Sequence, residues 1–366
     1  MDSTASDDEH TADLEGRRLI LFRVLLVAGS TLISLIIAEV VARTVIPETT
    51  TIRFRQDVDE LQDLRLNEAA EMIENDPDLF WRLKPDIRIA EERWPFFGVV
   101  SNSQGLREAE EIPQEKPKGE IRILFLGDSC TFGYGVAHDQ TFVEVCQSQL
   151  RSHLGSPVEC INAGVPGYTL FQGHRRLLSQ GLALQPDLVV LNFGWNDYGQ
   201  WDHLGDREHH AAMQAMIPPG PLKHSKLCEL AWRILNKPRG KGEDTRPRVL
   251  PDEFEQLLEE THTLLKKEDI PMLVLVWPLL VNATPEASEG GRTELQAVMS
   301  RFAQDHPLST QPRVAGFIDL IPVSRQIVRE HGANTIYYDP GHVNATAHQA
   351  FGSAIARHLA PWLTPQ

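Results

Sequence analysis

Apolar runs of strand length alternate with amphipathic stretches from residue 121 to the end of the chain. The apolar runs are Ile121–Leu126, Val158–Asn162, Leu188–Phe193, Met272–Trp277 and Val314–Leu320. The candidate helices are Phe142–His153, Leu170–Gln180, Pro251–Lys267, Glu294–Gln304, Pro322–Glu330 and Ala345–Ala360. Continuous apolar runs are typical of strands buried on both faces. The pattern therefore predicts an α/β domain over residues 120–366, in which helices cover both faces of a five-stranded parallel sheet.

The N-terminal 45 residues follow a different pattern. Residues 1–18 are acidic and rich in small side chains, which predicts a disordered tail. Residues 19–45 form an apolar segment whose uncharged part, Val24–Ala38, is short for a hydrocarbon core of roughly 30 Å. Arg23 can lengthen the span by snorkelling. We therefore predict a single transmembrane anchor over residues 19–45.

Two other interpretations of this apolar segment stay open. A cleaved signal peptide fits the small residues Ala38 and Ala42, although the sequence is apolar again after Glu39. A buried helix of a soluble domain is the second interpretation, and the length of the segment argues against it. Arginines flank both ends and give a slight preference for an N-terminus inside the cell, which places the large domain outside the cytoplasm.

Two regions lack a regular pattern. Residues 46–119 are charged and interrupted by prolines, so we expect an irregular connector. Apolar pieces such as Leu79-Phe80-Trp81 predict short strands that lie on the main domain, and Asp57–Asn75 is a possible helix. Residues 198–250 break the alternation after the third apolar run, which predicts a partly helical, lid-like insertion over the site.

Four polar stretches are candidates for one site, and three of them lie at the predicted carboxyl edge of the sheet. Gly127-Asp128-Ser129 ends the first strand, where a turn followed by a helix N-cap is the simpler interpretation. The stretch 162–168, Asn-Ala-Gly-Val-Pro-Gly-Tyr, follows the second run, and Gly194-Trp195-Asn196-Asp197 follows the third. Asp339-Pro340-Gly341-His342 precedes the final helix. Open α/β sheets bind their ligands at this edge.

Taken together and in this order, the four stretches resemble those of the SGNH/GDSL hydrolase family. The matching positions are Ser129, Gly164, Asn196, Asp339 and His342, and the resemblance spans Ile121–Ala360, about two thirds of the chain. The first stretch departs from the strict Gly-Asp-Ser-Leu form because cysteine and threonine follow the serine. The resemblance implies a flavodoxin-like α/β/α fold and the hydrolysis of esters.

These residue types suit acyl transfer. A serine hydroxyl is a weak nucleophile at neutral pH and needs a base, for which His342 is the candidate. Asp339 can hold the imidazole in the right tautomer and stabilise its charged form. The developing oxyanion needs preorganised donors. By the resemblance, these donors are the backbone N–H groups of Ser129 and Gly164 and the amide of Asn196.

Each of these residues also has a simpler interpretation. His342 is one of 14 histidines, and alone it is more often a surface or hydrogen-bonded residue. Asn196 can cap a turn, Gly164 can serve backbone geometry alone, and Asp339 can be a turn residue. Together these interpretations require four coincidences, which favours the catalytic one.

Composition narrows the range of partners. A formal net charge of −16 argues against nucleic acid, because a protein needs Lys and Arg to neutralise phosphates. The four cysteines, at 130, 146, 160 and 228, are too scattered for a metal or redox motif, and we expect them to be buried small residues. No metal or organic cofactor is expected. The sequence does not identify a protein partner.

Three hypotheses for function follow. The first is a membrane-anchored, extracytoplasmic serine esterase that removes an acyl group, for example acetyl, from a carbohydrate or lipid-like substrate. The second is an O-acyltransferase, in which a sugar hydroxyl replaces water and attacks the same acyl-enzyme. The third is a non-catalytic binding module of the cell surface that has kept the fold.

Overall fold

The computed structural model describes most of the chain. The described residues are 4–45, 71–92, 97–200, 203–235, 245–284, 293–307, 309–310, 313–314 and 316–364. The chain forms two compact units, one of Met1–Thr51 with Ala212–Gly240 and the other of Ile52–Ala211 with Lys241–Gln366. The second unit contains the sheet and the four polar stretches.

The strands are short and follow the apolar runs. Their bounds are β1 (Ile73–Asp76), β2 (Phe80–Leu83), β3 (Arg88–Ile89), β4 (Val99–Val100), β5 (Ile121–Gly127), β6 (Val158–Gly164), β7 (Leu188–Asn192), β8 (Met272–Val276), β9 (Ser309–Thr310), β10 (Arg313–Val314) and β11 (Phe317–Asp319).

The helices connect the strands and cover the sheet. Their bounds are α1 (Thr4–Val45), α2 (Ser129–Phe132), α3 (Phe142–Leu154), α4 (Leu170–Arg176), α5 (Asp206–Ala215), α6 (Lys226–Leu235), α7 (Pro251–Lys267), α8 (Leu280–Ala283), α9 (Glu294–Asp305), α10 (Ile321–His331), α11 (Ala333–Ile336) and α12 (Ala345–Leu363).

The central sheet is parallel and has five strands, as the sequence predicts. Its spatial order is β11-β8-β7-β5-β6, which is the flavodoxin order 2-1-3-4-5 when the strands are renumbered along the chain. At the end of β5, Gly127 pairs with Gly164 on one side and Asn192 on the other. The strand order reverses beside β5, so this point is the topological switch point where such folds bind ligands.

Alternate side chains of each strand point to opposite faces of the sheet. Ile123 and Phe125 of β5 join a buried cluster with α3, α10 and α12. Leu124 and Leu126 are equally buried and point to the other face, where α4 and α9 contact α7. Helices therefore cover both faces, which confirms the three-layer fold.

Two predicted elements differ from the observed ones. The fifth apolar run, Val314–Leu320, contributes only β11 to the sheet, because Gly316 interrupts it and β10 pairs with β9 instead. Glycine weakens a strand and often marks such a break. The helix expected over Leu170–Gln180 ends its α-helical part at Arg176 and continues as a π-helical turn over Leu177–Gly181.

The connector folds onto the sheet domain. It forms two antiparallel hairpins, β1–β2 and β3–β4. The indole of Trp81 donates to the carbonyl oxygen of Pro166 at 2.9 Å, and the hydroxyl of Tyr168 donates to the carbonyl oxygen of Trp81 at 2.6 Å. The possible helix at Asp57–Asn75 falls largely outside the described residues; of its described end, Glu71 and Met72 are helical, and β1 begins at Ile73.

Helix α1 begins earlier than expected. It starts at Thr4, so most of the tail that we expected to be disordered is helical. Extending an existing helix avoids the cost of nucleation, and alanines and glutamates in this stretch favour the helix. Within α1, the 29 residues Arg17–Val45 are long and apolar enough to cross a membrane. Membrane spans and signal sequences share these properties.

The insertion after β7, expected to be partly helical, contains α5 and α6. Its central part, residues 212–240, belongs to the same compact unit as α1. Its two ends, which include Asp206 and Arg248, belong to the sheet unit. The insertion is therefore divided between the two compact units.

Packing of α3 against α12 gives the first prediction. A Cβ atom at Gly352 would lie 2.6 Å from both the carbonyl oxygen of Phe142 and the Cβ of Val145. Gly352→Val should therefore lower the free energy of unfolding by about 2 kcal/mol through overpacking. Gln349→Val adds the same side chain on the exposed side of α12 and should change stability by less than about 0.5 kcal/mol. Urea denaturation measures both, and equal effects would contradict this packing.

Candidate active site

Ser129 lies at the junction of β5 and α2. Asp128 caps the helix, because its Oδ1 accepts the backbone N–H of Cys130 at 2.8 Å. The serine is therefore the first residue of α2, directly after the carboxyl end of a central strand. Only 5% of Ser129 is exposed. The turn and N-cap expected from the sequence are both present, and they position the hydroxyl.

Two glycines allow this junction to form. A Cβ atom at Gly127 would lie 2.0 Å from Oγ1 of Thr131. A Cβ atom at Gly164 would lie 2.2 Å from the backbone nitrogen of Phe132. Both distances are far shorter than van der Waals contacts. Helix α2 can therefore approach the ends of β5 and β6 only because positions 127 and 164 have no side chain.

His342 and Asp339 complete a chain of contacts with the serine. Nε2 of His342 lies 2.7 Å from Oγ of Ser129, and Nδ1 lies 2.5 Å from Oδ2 of Asp339. The other oxygen of Asp339 accepts the backbone N–H groups of Gly341 and His342, each at 2.8 Å. The structure thus brings Ser129 together with His342, which follows it by 213 positions, and with Asp339.

The carboxylate of Asp339 is held in its charged form. Partial burial raises its pKa, but the hydrogen bond and charge of His342 and the two backbone N–H donors outweigh burial. The net pKa lies below the ordinary value of 3.8. Asp339 is therefore ionised at neutral pH and can stabilise a protonated His342.

Neighbouring elements fix the loop that carries His342. The indole N–H of Trp277 donates to the carbonyl oxygen of Gly341 at 2.8 Å. The backbone N–H of Leu280 donates to the carbonyl oxygen of Pro340, also at 2.8 Å. The ring of Tyr134 lies 4.8 Å from the imidazole of His342, centroid to centroid. These contacts restrict the position of the imidazole relative to Ser129.

Gly164 differs from its expected role. Its backbone N–H donates to Oδ1 of Asn162 at 3.0 Å. This N–H is therefore engaged within β6 and not directed at an incoming substrate. The need for glycine at 164 follows instead from the close approach of α2, so the expected oxyanion role is not matched here.

Asn196 lies beside the nucleophile turn. Its amide nitrogen donates to Oδ2 of Asp128 and to the carbonyl oxygen of Tyr168, each at 3.1 Å. Burial raises the pKa of Asp128 to about 6, while the N–H of Cys130 and the charge of His342 oppose this rise. The amide thus contacts Asp128, the residue before Ser129, and is hydrogen-bonded in the resting site.

Gly167 is a residue that the sequence interpretation missed. Its φ of +80° is in the left-handed region that favours glycine. Its carbonyl oxygen accepts Nη1 of Arg248 at 2.6 Å, whereas its N–H makes no hydrogen bond to any residue that the structure describes. The signal in the sequence was the Pro166-Gly167 pair, which is typical of a turn with an unusual backbone conformation.

Arg248 is the second missed residue, and it comes from the end of the insertion. Its Nε and Nη2 atoms lie 3.0 Å from the two carboxylate oxygens of Asp206. Oδ2 of Asp206 also accepts the hydroxyl of Thr169 at 2.5 Å. Both charged side chains are buried, and together they fix the loop of Gly167. Nothing local in the sequence indicates these long-range contacts.

Cys130 adjoins the nucleophile but is shielded. All four cysteines are free, and three of them, including Cys130, are buried. Burial raises the pKa of the Cys130 thiol well above its ordinary value, and the nearby carboxylates of Asp128 and Asp339 add to this rise. The thiol is therefore not a competing nucleophile at neutral pH.

Comparisons with known proteins give one matching family and several similar structures. Residues 125–350 match the model of the GDSL-like Lipase/Acylhydrolase family. A comparison with curated proteins gives no significant match. Among solved structures, the lipase/acylhydrolase from Enterococcus faecalis is 21% identical, with a TM-score of 0.43, over 67% of this chain and 98% of that one.

Two further structures align over similar lengths. The acetylxylan esterase Axe2 from Geobacillus stearothermophilus is 16% identical, with a TM-score of 0.44, over 65% of this chain and 94% of that one. LAE5, an alpha/beta hydrolase from the metagenome of Lake Arreo in Spain, is 17% identical, with a TM-score of 0.44, over 67% and 96% of the two chains.

The family match covers more than half of the chain and includes every residue discussed at the junction of β5 and α2. The chain therefore belongs to the GDSL-like lipase/acylhydrolase family and is an ester-cleaving hydrolase of the SGNH type.

Proposed function

We propose that the protein is a serine esterase that works through an acyl-enzyme on Ser129. The observation that carries this proposal is the unbroken chain of short contacts from Ser129 through His342 to Asp339. In the first step, Nε2 of His342 accepts the hydroxyl proton while Oγ attacks the ester carbonyl. The imidazolium then returns this proton to the leaving alcohol, and Asp339 stabilises its charge.

The second half of the reaction repeats the first with water. Nε2 of His342 takes a proton from the water, whose oxygen attacks the acyl carbonyl on Ser129. The tetrahedral intermediate collapses, Ser129 regains its proton from His342, and the acid leaves. The same three side chains act in both halves, so no cofactor is needed in this scheme.

We propose three donors for the oxyanion: the N–H groups of Ser129 and Gly167 and the amide of Asn196. Ser129 begins α2, and the first N–H groups of a helix have no intrahelical acceptor. Gly167 replaces Gly164 in this proposal because its N–H is not engaged by the described residues. Arg248, which is paired with Asp206, supports this assignment because its hydrogen bond to the Gly167 carbonyl oxygen holds the peptide in place.

A short acyl group on a carbohydrate is the substrate we favour. A cavity of about 20 Å³ adjoins Asp128 and Cys130, with Trp195 and Trp277 among its walls, and holds about one water molecule. The nucleophile turn therefore has no room for a long acyl chain on this side. Tyr338 is 59% exposed and donates to the carbonyl oxygen of Gly135, so its ring offers a flat surface to a sugar.

Asp197 stabilises the loop that carries Asn196. Its two carboxylate oxygens accept the N–H groups of Leu170 at 3.0 Å and Gly194 at 2.9 Å. Burial raises its pKa to about 7, against the opposing effects of the hydrogen bond from Leu170 and the charge of Arg248. The carboxyl group is therefore partly protonated near neutral pH.

The nucleophile gives the most direct test. Ser129→Ala should lower kcat/KM for p-nitrophenyl acetate by at least about 10³-fold, because no other group can form the acyl-enzyme. The variant should stay folded and lose labelling by a fluorophosphonate probe. Ser152→Ala, at an exposed position of α3, should keep full activity. Undiminished turnover by Ser129→Ala would contradict the proposed nucleophile. Faster cleavage of p-nitrophenyl octanoate than of p-nitrophenyl acetate by the wild type would contradict the preference for a short acyl group.

The amide of Asn196 should act in the transition state. Asn196→Ala should lower kcat by roughly 10²-fold with little change in KM, because an oxyanion donor stabilises charge that the bound substrate lacks. Asn334→Ala, at an exposed position of α11, is the matched control and should leave both constants unchanged. Steady-state kinetics on p-nitrophenyl acetate measure both, and a change confined to KM would speak against this role.

Asp197 predicts a dependence of stability on pH. Between its ordinary value of 3.8 and about 7, the folded protein keeps a proton that the unfolded chain has lost. The free energy of unfolding should therefore fall as pH rises through this window. Asp197→Asn should show a smaller fall between pH 5 and pH 8 in urea denaturation, while the exposed Asp252→Asn should match the wild type. An unchanged fall in Asp197→Asn would refute the linkage.

A further inference from the structure

Helix α6, in the centre of the insertion, is strongly amphipathic. Its apolar residues Leu227, Leu230 and Ile234 recur at helical spacing, and Leu235 follows them. In this structure Leu230 is 42%, Ile234 69% and Leu235 77% exposed. Such a patch of large apolar side chains marks a surface that something covers.

The start of α6 is held by a side chain of α1. The carboxylate of Glu39 accepts the backbone N–H groups of Lys226 at 2.8 Å and Leu227 at 3.1 Å, and the hydroxyl of Ser225 at 2.9 Å. These N–H groups belong to the first turn of α6, where no intrahelical acceptor exists. Glu39 thus caps a helix that follows it by more than 180 residues.

Glu39 lies close to the C-terminal end of the apolar helix. Arg17–Val45 has 29 residues, or about 43 Å of helix, whereas a hydrocarbon core measures about 30 Å. One end of the helix or both must therefore reach the headgroup level. Val41 and Val45, next to Glu39, are 50% and 71% exposed, so the apolar surface of α1 extends to the level of the cap.

Basic groups accompany the cap. Arg43 donates through Nε to the Glu39 carboxylate at 2.8 Å and through Nη2 to the carbonyl oxygen of His224. Lys226 begins the polar side of α6 and pairs with Glu229 at 3.0 Å. Basic residues beside an amphipathic helix are typical of elements that lie in the membrane interface and meet anionic headgroups.

We propose that residues 212–235 form a membrane-interface element joined to α1 through the Glu39 cap. Helix α6 lies in the headgroup region with Leu230, Ile234 and Leu235 towards the acyl chains. A lipid surface is the occupant we choose because the exposed face of α6 starts at the end of a helix with the length of a membrane span. The proposal does not depend on the ester chemistry.

The proposal has a consequence for α1. Cleavage after Ala42 would remove Glu39, and cleavage after Ala38 would leave it as the first residue of a new, freely moving N-terminus. Either event would remove the fixed cap of α6. Helix α1 is therefore retained in the mature protein rather than released as a signal peptide.

A fluorescent label on α6 tests the contact with lipid. The full chain carries Cys228→Ser and Ile234→Cys, is labelled with an NBD dye, and is placed one chain per nanodisc of phosphatidylcholine and phosphatidylglycerol. The buried cysteines at 130, 146 and 160 stay unlabelled in the folded protein. Leu178→Cys, 49% exposed in the sheet unit, is the matched control. We expect lipids with a doxyl group on the acyl chain to quench the label at 234 at least twofold more than that at 178.

Two results would overturn the proposal. Equal quenching at the two positions means that α6 does not meet lipid. A blue-shifted label at 234 that appears only with two chains per disc, without quenching by doxyl lipids, means that a second copy covers the face.

The cap is tested separately. Glu39→Ala should remove at least half of the quenching at 234, whereas Glu229→Ala, which leaves the cap intact, should keep it. Intact mass of the wild-type chain from membranes should include Glu39 within an unprocessed α1. Unchanged quenching in Glu39→Ala, or a mature chain that begins after Ala38 or Ala42, would refute the link between α1 and α6.

Discussion

The close approach of α2 to the ends of β5 and β6 is the constraint on which the rest of the site depends. A Cβ at Gly127 or Gly164 would overlap with α2, so both positions must lack a side chain. This approach sets the start of α2 directly at the switch point of the sheet. Ser129 then stands where loops from several strands meet, and His342 reaches it from the far end of the chain.

A buried ion pair supports the neighbouring loop. Removing Arg248 and Asp206 from water is costly, and a pair of this kind is stable only when its remaining donors and acceptors are also satisfied. Here the additional partners are the carbonyl oxygen of Gly167, the side chain of Gln172 and the hydroxyl of Thr169. The ion pair therefore specifies a backbone conformation more than it adds stability, and in that conformation no residue among those described accepts the Gly167 N–H.

The sequence predicted the sheet and the order of the polar stretches because both depend on local patterns. Apolar runs of strand length identify β5 to β8, and Ser129 follows directly after the first of them. Asp339 and His342 precede the final helix and were identified by residue type and by the resemblance of the four stretches to one family. Local patterns could not show whether the N–H of Gly164 or that of Gly167 is available to a substrate. This depends on where each N–H points, which is set by the hydrogen bond of Asn162 in one case and by a positive φ in the other.

The sequence also does not predict the long-range polar contacts. Arg248 and Asp206 stand in a stretch whose composition indicates only a polar insertion, and their pairing with each other and with the Gly167 loop exists only in the folded chain. The same holds for Glu39. In the sequence it is a charged interruption of an apolar helix, which weakens the prediction of a membrane span. In the structure its carboxylate has backbone N–H partners on α6, so the charge belongs to a specific contact and its presence no longer counts against the span.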